Sequence, residues 1–204
     1  LTAYFQPMSN EIQESFNILK YIDRHFTMAK LAYQIKAIRP EINKGGKIIL
    51  EEASNPLFTL ADKNAVSLNL KLDNEKILLL SGPNAGGKTV VLKSLGLYAL
   101  MAQCGLFIPA KNAQLPIFTR FMADIGDHQS MEDDLSTFSA HIQNLAEIVE
   151  EADENTLILL DELGTGTDPD AGAALSRAIL ETLLMKTSMV VATTHIGSLK
   201  VWAS

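Results

Sequence analysis

One stretch of this chain, Gly82 to Thr89, restricts the possible folds more than any other. It reads Gly-Pro-Asn-Ala-Gly-Gly-Lys-Thr and lies between an apolar run, Ile77–Leu80, and a segment whose apolar residues recur at helical spacing. This strand–loop–helix context and spacing are typical of a phosphate-binding loop. Glycines let backbone N–H groups approach a phosphate, and the helix N-terminus adds positive potential. The pattern therefore predicts a nucleoside triphosphate site rather than a chance Gly-rich turn.

Each residue of this loop is a predicted nucleotide ligand. We expect Lys88 to reach the β- and γ-phosphates and the Thr89 hydroxyl to coordinate Mg²⁺. The full predicted set is Gly82, Pro83, Asn84, Ala85, Gly86, Gly87, Lys88 and Thr89.

A pair of carboxylates forms the second part of the predicted site. Asp161 and Glu162 follow the aliphatic run Leu157–Leu160, which is typical of a buried parallel strand. A carboxylate at the end of such a strand can bind the Mg²⁺ shell, and the next one can polarise an attacking water. We therefore expect Asp161 at the metal and Glu162 as general base, although acidic residues at strand ends are also plain turn caps.

The order of the elements predicts an α/β fold. After Ile77, strands alternate with helices, so we expect a mostly parallel sheet covered on both faces. His195 directly follows the predicted strand 189–194, so parallel topology predicts it at the rim that carries Asp161 and the loop. Before that sheet, the alternating strand 66–72 and the strand from Ile77 are joined by a short turn, which predicts an antiparallel edge ribbon.

A long helix is predicted at the N-terminus, from Asn10 to Ile38 and ending before Pro40. Leu19, Phe26 and Tyr33 lie at heptad spacing within it. Two interpretations stay open: an amphipathic helix packed on the globular core, or one part of a helical arm whose partner lies elsewhere.

Composition limits the class of protein. The 204 residues carry a formal net charge of −7, which argues against a general nucleic-acid-binding surface on this piece. Its apolar runs are too short to span a membrane. Cys104 is the single cysteine, which fits a reducing cytoplasm, and its apolar neighbours predict a buried thiol. The absence of an initial Met suggests a piece of a longer protein.

Four segments together resemble the ATPase domain of the MutS family. They are GPNAGGKT, DIGDHQSMEDDLSTFSAH, LLDELGTGTDPDAGAAL and ATTH. The second and third resemble more narrowly the bacterial branch, MutS-two, that lacks mismatch recognition and suppresses recombination. The resemblance implies a P-loop, ABC-type ATPase domain over residues 43–204, C-terminally truncated, after the end of a helical lever or clamp region over residues 1–42.

The resemblance also implies roles and partners. Gly82 to Thr89 would hold ATP and Mg²⁺, Asp161 the metal and Glu162 the water, while His195 would be the switch histidine. Ser136 would sense the γ-phosphate of the other subunit of a homodimer. From its position alone, Ser136 is also interpreted as a simple helix N-cap. Family members couple this cycle to DNA or, in some bacteria, to ribosomes, and many carry a C-terminal nuclease domain.

Two positions depart from the family pattern, and other functions stay open. His128 replaces the usual Glu. Asn55, in the segment Asn55 to Phe58 that is predicted to be a loop, replaces the His of the adenine-side loop. One alternative is a dimerisation module that senses ATP without efficient turnover. Another is a different ABC-type head. Such heads carry a Leu-Ser-Gly-Gly-Gln-like signature, which residues 135–139, Leu-Ser-Thr-Phe-Ser, do not match. A kinase is disfavoured because no acceptor-site motif follows the loop.

Overall fold

The computed structural model describes residues 2–61, 63, 66–73, 75–83, 86–126, 134–186 and 188–203, and the side chains of residues 2, 3 and 134–138 are not part of that description. A turn of 3₁₀ helix, Gln6–Met8, joins the first two helices. The helices are α1 Thr2–Phe5, α2 Ser9–Gln34, α3 Pro56–Leu60, α4 Lys88–Gln103, α5 Asp134–Glu151, α6 Pro169–Met185 and α7 Gly197–Ala203. The strands are β1 Glu41–Asn43, β2 Ile48–Ala53, β3 Leu68–Leu72, β4 Ile77–Ser81, β5 Asn112–Pro116, β6 Arg120–Asp124, β7 Thr156–Leu160 and β8 Met189–Thr194.

A four-stranded parallel sheet carries the predicted site. Its order is β4-β8-β7-β6, so β8 lies between the strand that leads into the loop and the strand that leads into Asp161. Ser81 pairs with Thr194, and Leu160 pairs with Ala192. Because the strands are parallel, their carboxyl ends form one rim, as the alternation of elements predicted.

Residues of β7 alternate between two hydrophobic cores. Leu157 and Leu159 join the core that contains α4, whereas Ile158 and Leu160 join the core under α5 and α6. All five residues of β7 are buried. Successive side chains of a strand point to opposite faces, so an uninterrupted aliphatic run is what a sheet covered on both faces requires.

A second four-stranded sheet, of order β1-β5-β2-β3, is mixed: β1 pairs with β5 in parallel, whereas β2 pairs antiparallel with both β5 and β3. β3 pairs antiparallel with β2, not with β4, so the prediction that the strand 66–72 and the strand from Ile77 form one ribbon is wrong. The two strands belong to different sheets because β4 pairs with β8. Helix α4 packs its apolar side chains against both sheets and joins them into one core.

Three local predictions are also wrong. Helix α2 ends at Gln34, before the predicted Ile38, because Lys36 adopts a φ of 51° and Ile35 turns into the core. Asn55 to Phe58 is not a loop, since Asn55 caps α3. Cys104 is exposed, because α4 ends one residue earlier and the chain turns there.

The heptad positions of α2 face solvent. Leu19, Phe26 and Tyr33 are 63%, 70% and 88% exposed, and no residue of α2 is buried. The interpretation of this helix as packed on the core is therefore wrong at these positions. Among the described residues, no helix combines the length and the apolar character that crossing a membrane demands.

The loop after Glu162 is held against α6 by two glycines. A Cβ built on Gly172 would lie 2.3 Å from the carbonyl oxygen of Gly164, and a Cβ on Gly164 would lie 2.5 Å from Ser176 Oγ. Gly164 also has a φ of 89°, which favours glycine. The backbone of the loop therefore approaches α6 more closely than any side chain at Gly172 allows.

We predict that Gly172→Ala lowers the free energy of unfolding by about 1–3 kcal/mol, because the new methyl group meets backbone that cannot move aside cheaply. In a helix without such a contact, the same change stabilises by about 1 kcal/mol. Gly45→Ala is the control, since its Cβ has no neighbour closer than 4.0 Å. Urea denaturation measures both variants. A more stable Gly172→Ala protein would contradict the close approach.

Candidate functional site

Two glycines of the loop after β4 have backbone conformations that few other residues adopt. Gly82 has a φ of 153° and Gly87 a φ of 76°, conformations in which L side chains are strained. Gly87 directly precedes α4, and Gly86 N–H donates to Pro83 O at 3.0 Å. The first N–H groups of a helix have no partner within it, so they point towards an anion at this end. Asn84 and Ala85, also predicted ligands, lie outside the described residues.

Lys88 lies at the end of this loop, where α4 begins. Its Nζ donates to Gly82 O and to Pro83 O, each at 2.8 Å, and the residue is only 9% exposed. Among the described residues no carboxylate pairs with it. A buried ammonium without a counter-charge is costly, and a phosphate bound in the loop would supply that charge.

Asp161 lies beside the start of α4, as predicted. Its Oδ1 accepts from Thr89 Oγ1 at 3.2 Å and from Thr193 Oγ1 at 2.6 Å. The residue is 5% exposed, and its own N–H donates to Asp124 O at 2.9 Å. Two donors on one oxygen leave Oδ2 without a hydrogen-bond donor from the part of the chain that the structure describes. The carboxylate therefore keeps acceptor capacity for a ligand at the rim.

Glu162 follows in a left-handed backbone conformation, with a φ of 51°. Its N–H donates to Thr193 Oγ1 at 2.8 Å, and its carbonyl accepts from Thr165 N–H at 3.2 Å. A non-glycine residue in this region costs about 1–3 kcal/mol and persists only where its surroundings enforce it. The structure thus turns Glu162 away from the strand direction directly after Asp161.

His195 follows β8 at the same rim and is exposed. The residue before it, Thr194, is completely buried, donates from Oγ1 to Leu163 O at 3.1 Å and accepts from Ile196 N–H at 3.1 Å. These bonds tie the segment that carries His195 to the segment that carries Glu162. The parallel register therefore brings the predicted histidine to the end of the sheet that holds the loop.

The side chain of Ser136 is not among those described, but the position of its helix is. Helix α5 begins at Asp134 and is joined to β6 by buried polar groups. His141 Nδ1 pairs with Asp124 Oδ2, and Asn144 Nδ2 donates to Asp124 Oδ1 at 2.8 Å. Since Asp124 O accepts from Asp161 N–H, α5 is linked to the strand of the candidate metal ligand. His128 lies outside the described residues.

A cavity of about 450 Å³ adjoins the loop on the side of the second sheet. Asn55 lines it and donates from Nδ2 to Ser94 Oγ at 2.8 Å, which joins α3 to α4. Burial raises the pKa of Tyr98 to about 12, and a hydrogen bond with Ser94 offsets part of this rise. The other lining residues are Ala53, Phe58, Val66, Ser67, Leu68, Gly86, Gly87, Val90 and Val91. A mostly apolar cavity beside a phosphate loop suits a flat nucleobase.

Sequence reasoning missed several residues of this site. Thr193 was visible only as the residue two before His195, and Asp124 and His141 only as parts of a strand and a helix. No pattern in the chain indicates that β8 is inserted between β4 and β7, and that order alone brings Thr193 to Asp161. The cavity likewise depends on α3, which was predicted as a loop.

The chain matches one family model and several known proteins. The family model described as MutS domain V matches residues 78–204. A protein called Endonuclease MutS2 from Caldicellulosiruptor saccharolyticus is 49% identical over 195 residues, which is 95% of this chain and 25% of the relative. Proteins of the same name from Levilactobacillus brevis and Lachnospira eligens are 44% and 45% identical over 99% and 100% of the chain and 26% of each relative. The chain thus spans about a quarter of the length of these relatives.

Proposed function

Because this chain belongs to the MutS domain V family, which is the ATPase domain of MutS proteins, we propose that it binds ATP with Mg²⁺ and hydrolyses it to ADP and phosphate. The observation that carries the proposal is the buried ammonium of Lys88 at the N-terminus of α4, held by two loop carbonyls and lacking a carboxylate partner among the described residues. The negative charge of a nucleotide's β- and γ-phosphates complements that ammonium.

The donors beside the loop fit Mg²⁺. This ion takes oxygen ligands. Thr89 Oγ1 lies 3.2 Å from Asp161 Oδ1, so the hydroxyl and the carboxylate border the same space, and Asp161 Oδ2 accepts no hydrogen bond from the described residues. We assign the metal to Thr89 and Asp161. When bound, Mg²⁺ neutralises charge on the phosphate oxygens during phosphoryl transfer.

Glu162 supports hydrolysis rather than nucleotide sensing alone. Its backbone is bent away from β7 immediately after Asp161, so the side chain of a general base starts next to the metal carboxylate. A carboxylate there can accept a proton from a water that attacks the γ-phosphate. His195, on the neighbouring strand end, is the second group assigned to that water or to the γ-phosphate. A pure sensing module has no need for a general base.

The domain is proposed to work within a longer DNA-binding protein of the MutS2 branch. The matched relatives are about four times as long as this chain and are called endonucleases. Among the described residues, no group of three or more His, Cys, Asp or Glu side chains is arranged to hold a metal, so we assign no nuclease centre here. The net charge of −7 likewise favours DNA or ribosome contact through other segments. We propose a cytoplasmic protein, with residues 43–204 as the ATPase domain and residues 1–42 as part of a lever.

We further propose that the working unit is a homodimer in which each nucleotide lies between two subunits. Ser136 lies in the first turn of α5, which begins at Asp134, and a helix N-terminus is a suitable donor to phosphate. In this arrangement Ser136 of one subunit contacts the γ-phosphate held by Lys88 of the other.

The first test replaces Lys88 with Ala. We expect ATP affinity to fall by about 2–3 kcal/mol, because a charge-assisted contact to phosphate is lost. The control is Lys93→Ala, an exposed lysine on the same helix, which should bind as the wild type does. Isothermal titration calorimetry measures both. Equal affinity of Lys88→Ala and the wild type would refute the phosphate assignment.

The second test replaces Glu162 with Gln. The variant should bind ATP and Mg²⁺ normally and turn over about 10²- to 10⁴-fold more slowly, since the amide cannot accept the proton. Glu154→Gln, an exposed carboxylate at the opposite end of β7, is the control and should hydrolyse normally. Phosphate release under multiple turnover reports the rate. Loss of nucleotide binding instead of turnover would move Glu162 into the metal shell.

The third test mixes two inactive variants of the full-length protein, Ser136→Ala and Lys88→Ala. Each should be inactive alone, because every site lacks one partner. An equimolar mixture should recover about a quarter of wild-type hydrolysis, since half of the dimers are mixed and each mixed dimer has one intact site. Full activity of Ser136→Ala alone, or no recovery on mixing, would contradict a shared site.

A further inference from the structure

The structure assigns Thr193 as a positioning residue, an inference that rests on the proposed ATPase function: its single hydroxyl holds both Asp161 and Glu162 in their working orientations. Thr193 Oγ1 donates to Asp161 Oδ1 at 2.6 Å and accepts from Glu162 N–H at 2.8 Å. One hydroxyl therefore uses its donor on the metal carboxylate and an acceptor lone pair on the backbone of the general base.

The surroundings of Thr193 make this hydroxyl hard to replace. The side chain is 0% exposed, so no water can substitute for it without a rearrangement of the sheet. Its backbone carbonyl also accepts from Leu163 N–H at 2.8 Å, so the residue contacts three consecutive positions of the neighbouring segment. Because β8 lies between β4 and β7, Thr193 contacts the carboxylate of Asp161 and the backbone of Glu162 from the strand next to the loop.

The consequence for Asp161 concerns which oxygen faces the metal. With Thr89 and Thr193 both donating to Oδ1, the carboxylate is oriented by one oxygen and leaves Oδ2 for other ligands. Groups that orient a metal ligand in this way alter metal affinity or activity by about 10- to 100-fold when they are removed.

The consequence for Glu162 concerns its backbone. A φ of 51° is unfavourable for glutamate, and the bond from its N–H to Thr193 Oγ1 is one of two backbone hydrogen bonds that bracket this conformation. Without that acceptor, Glu162 gains freedom to return to an ordinary backbone conformation, which redirects its side chain.

The chain contains a matched structural counterpart, Thr156, at the opposite end of β7. Thr156 is also 0% exposed, donates from Oγ1 to Asp153 Oδ1 at 2.8 Å and accepts from Asp153 N–H at 3.0 Å. It makes the same two kinds of bond as Thr193, but it lies away from the loop and the carboxylates. Removing its hydroxyl measures what the loss of such bonds does to folding alone.

The experiment compares Thr193→Val, Thr193→Ser and Thr156→Val in the full-length protein. Three quantities are measured: the melting temperature, ATP affinity with and without Mg²⁺, and single-turnover hydrolysis. We expect Thr193→Val to lose about 10- to 100-fold in the Mg²⁺-dependent part of ATP affinity and in hydrolysis rate, with Mg²⁺-free binding unchanged. Thr193→Ser should retain both, and Thr156→Val should lose thermal stability only.

Three results would overturn the inference. They are a Thr193→Val protein with wild-type Mg²⁺ dependence and turnover, a Thr193→Ser protein as impaired as the valine variant, and an equal functional loss in Thr156→Val. Should the valine variant fail to fold, Thr193→Ala and Thr156→Ala are compared in the same way. If the wild-type protein itself binds no ATP, the proposed function and this inference both fail. If it binds ATP and loses that binding in Lys88→Ala, a negative result concerns Thr193 alone.

Discussion

The carboxylate of Asp161 is the junction on which the candidate site depends. Its Oδ1 accepts hydrogen bonds from Thr89, in the first turn of α4, and from Thr193, near the end of β8. These three residues come from three different elements, and each element enters the rim from a different part of the chain. Their hydrogen bonds fix the positions of the loop, the candidate metal ligand and the candidate base relative to one another. A shift of β8 or α4 would therefore lengthen a hydrogen bond to Asp161 and change the orientation of its carboxylate.

The second constraint is the charge of Lys88. The chain is acidic overall, with a net charge of −7, yet this lysine is buried with only carbonyl oxygens as its described partners. Neutral carbonyls reduce the cost of burying an ammonium but do not cancel its charge. The proposed phosphate site is therefore preorganised in charge, which electrostatic binding and catalysis both use. The mostly apolar cavity beside the loop suits a flat nucleobase.

Much of this arrangement could be predicted from local pattern. Gly82 to Thr89 has strict spacing because a phosphate needs converging backbone donors, and the run before Asp161 is aliphatic because a strand covered on both faces has no solvated side. Both signals are local in sequence, so the strand before the loop, the helix after it and the parallel sheet were predicted correctly. The prediction of triphosphate binding likewise needed no tertiary information.

Long-range pairing could not be predicted in this way. Which strand lies beside β4 is decided by packing across the whole domain, so β3 was wrongly paired with β4 and the role of Thr193 was missed. Cys104 was wrongly predicted to be buried, since apolar neighbours in sequence do not tell where a helix ends. Sequence by itself therefore determined which groups are the candidates for contact with phosphate and metal. Tertiary structure decided what orients them, because a hydrogen bond such as that from Thr193 to Asp161 joins residues 32 positions apart.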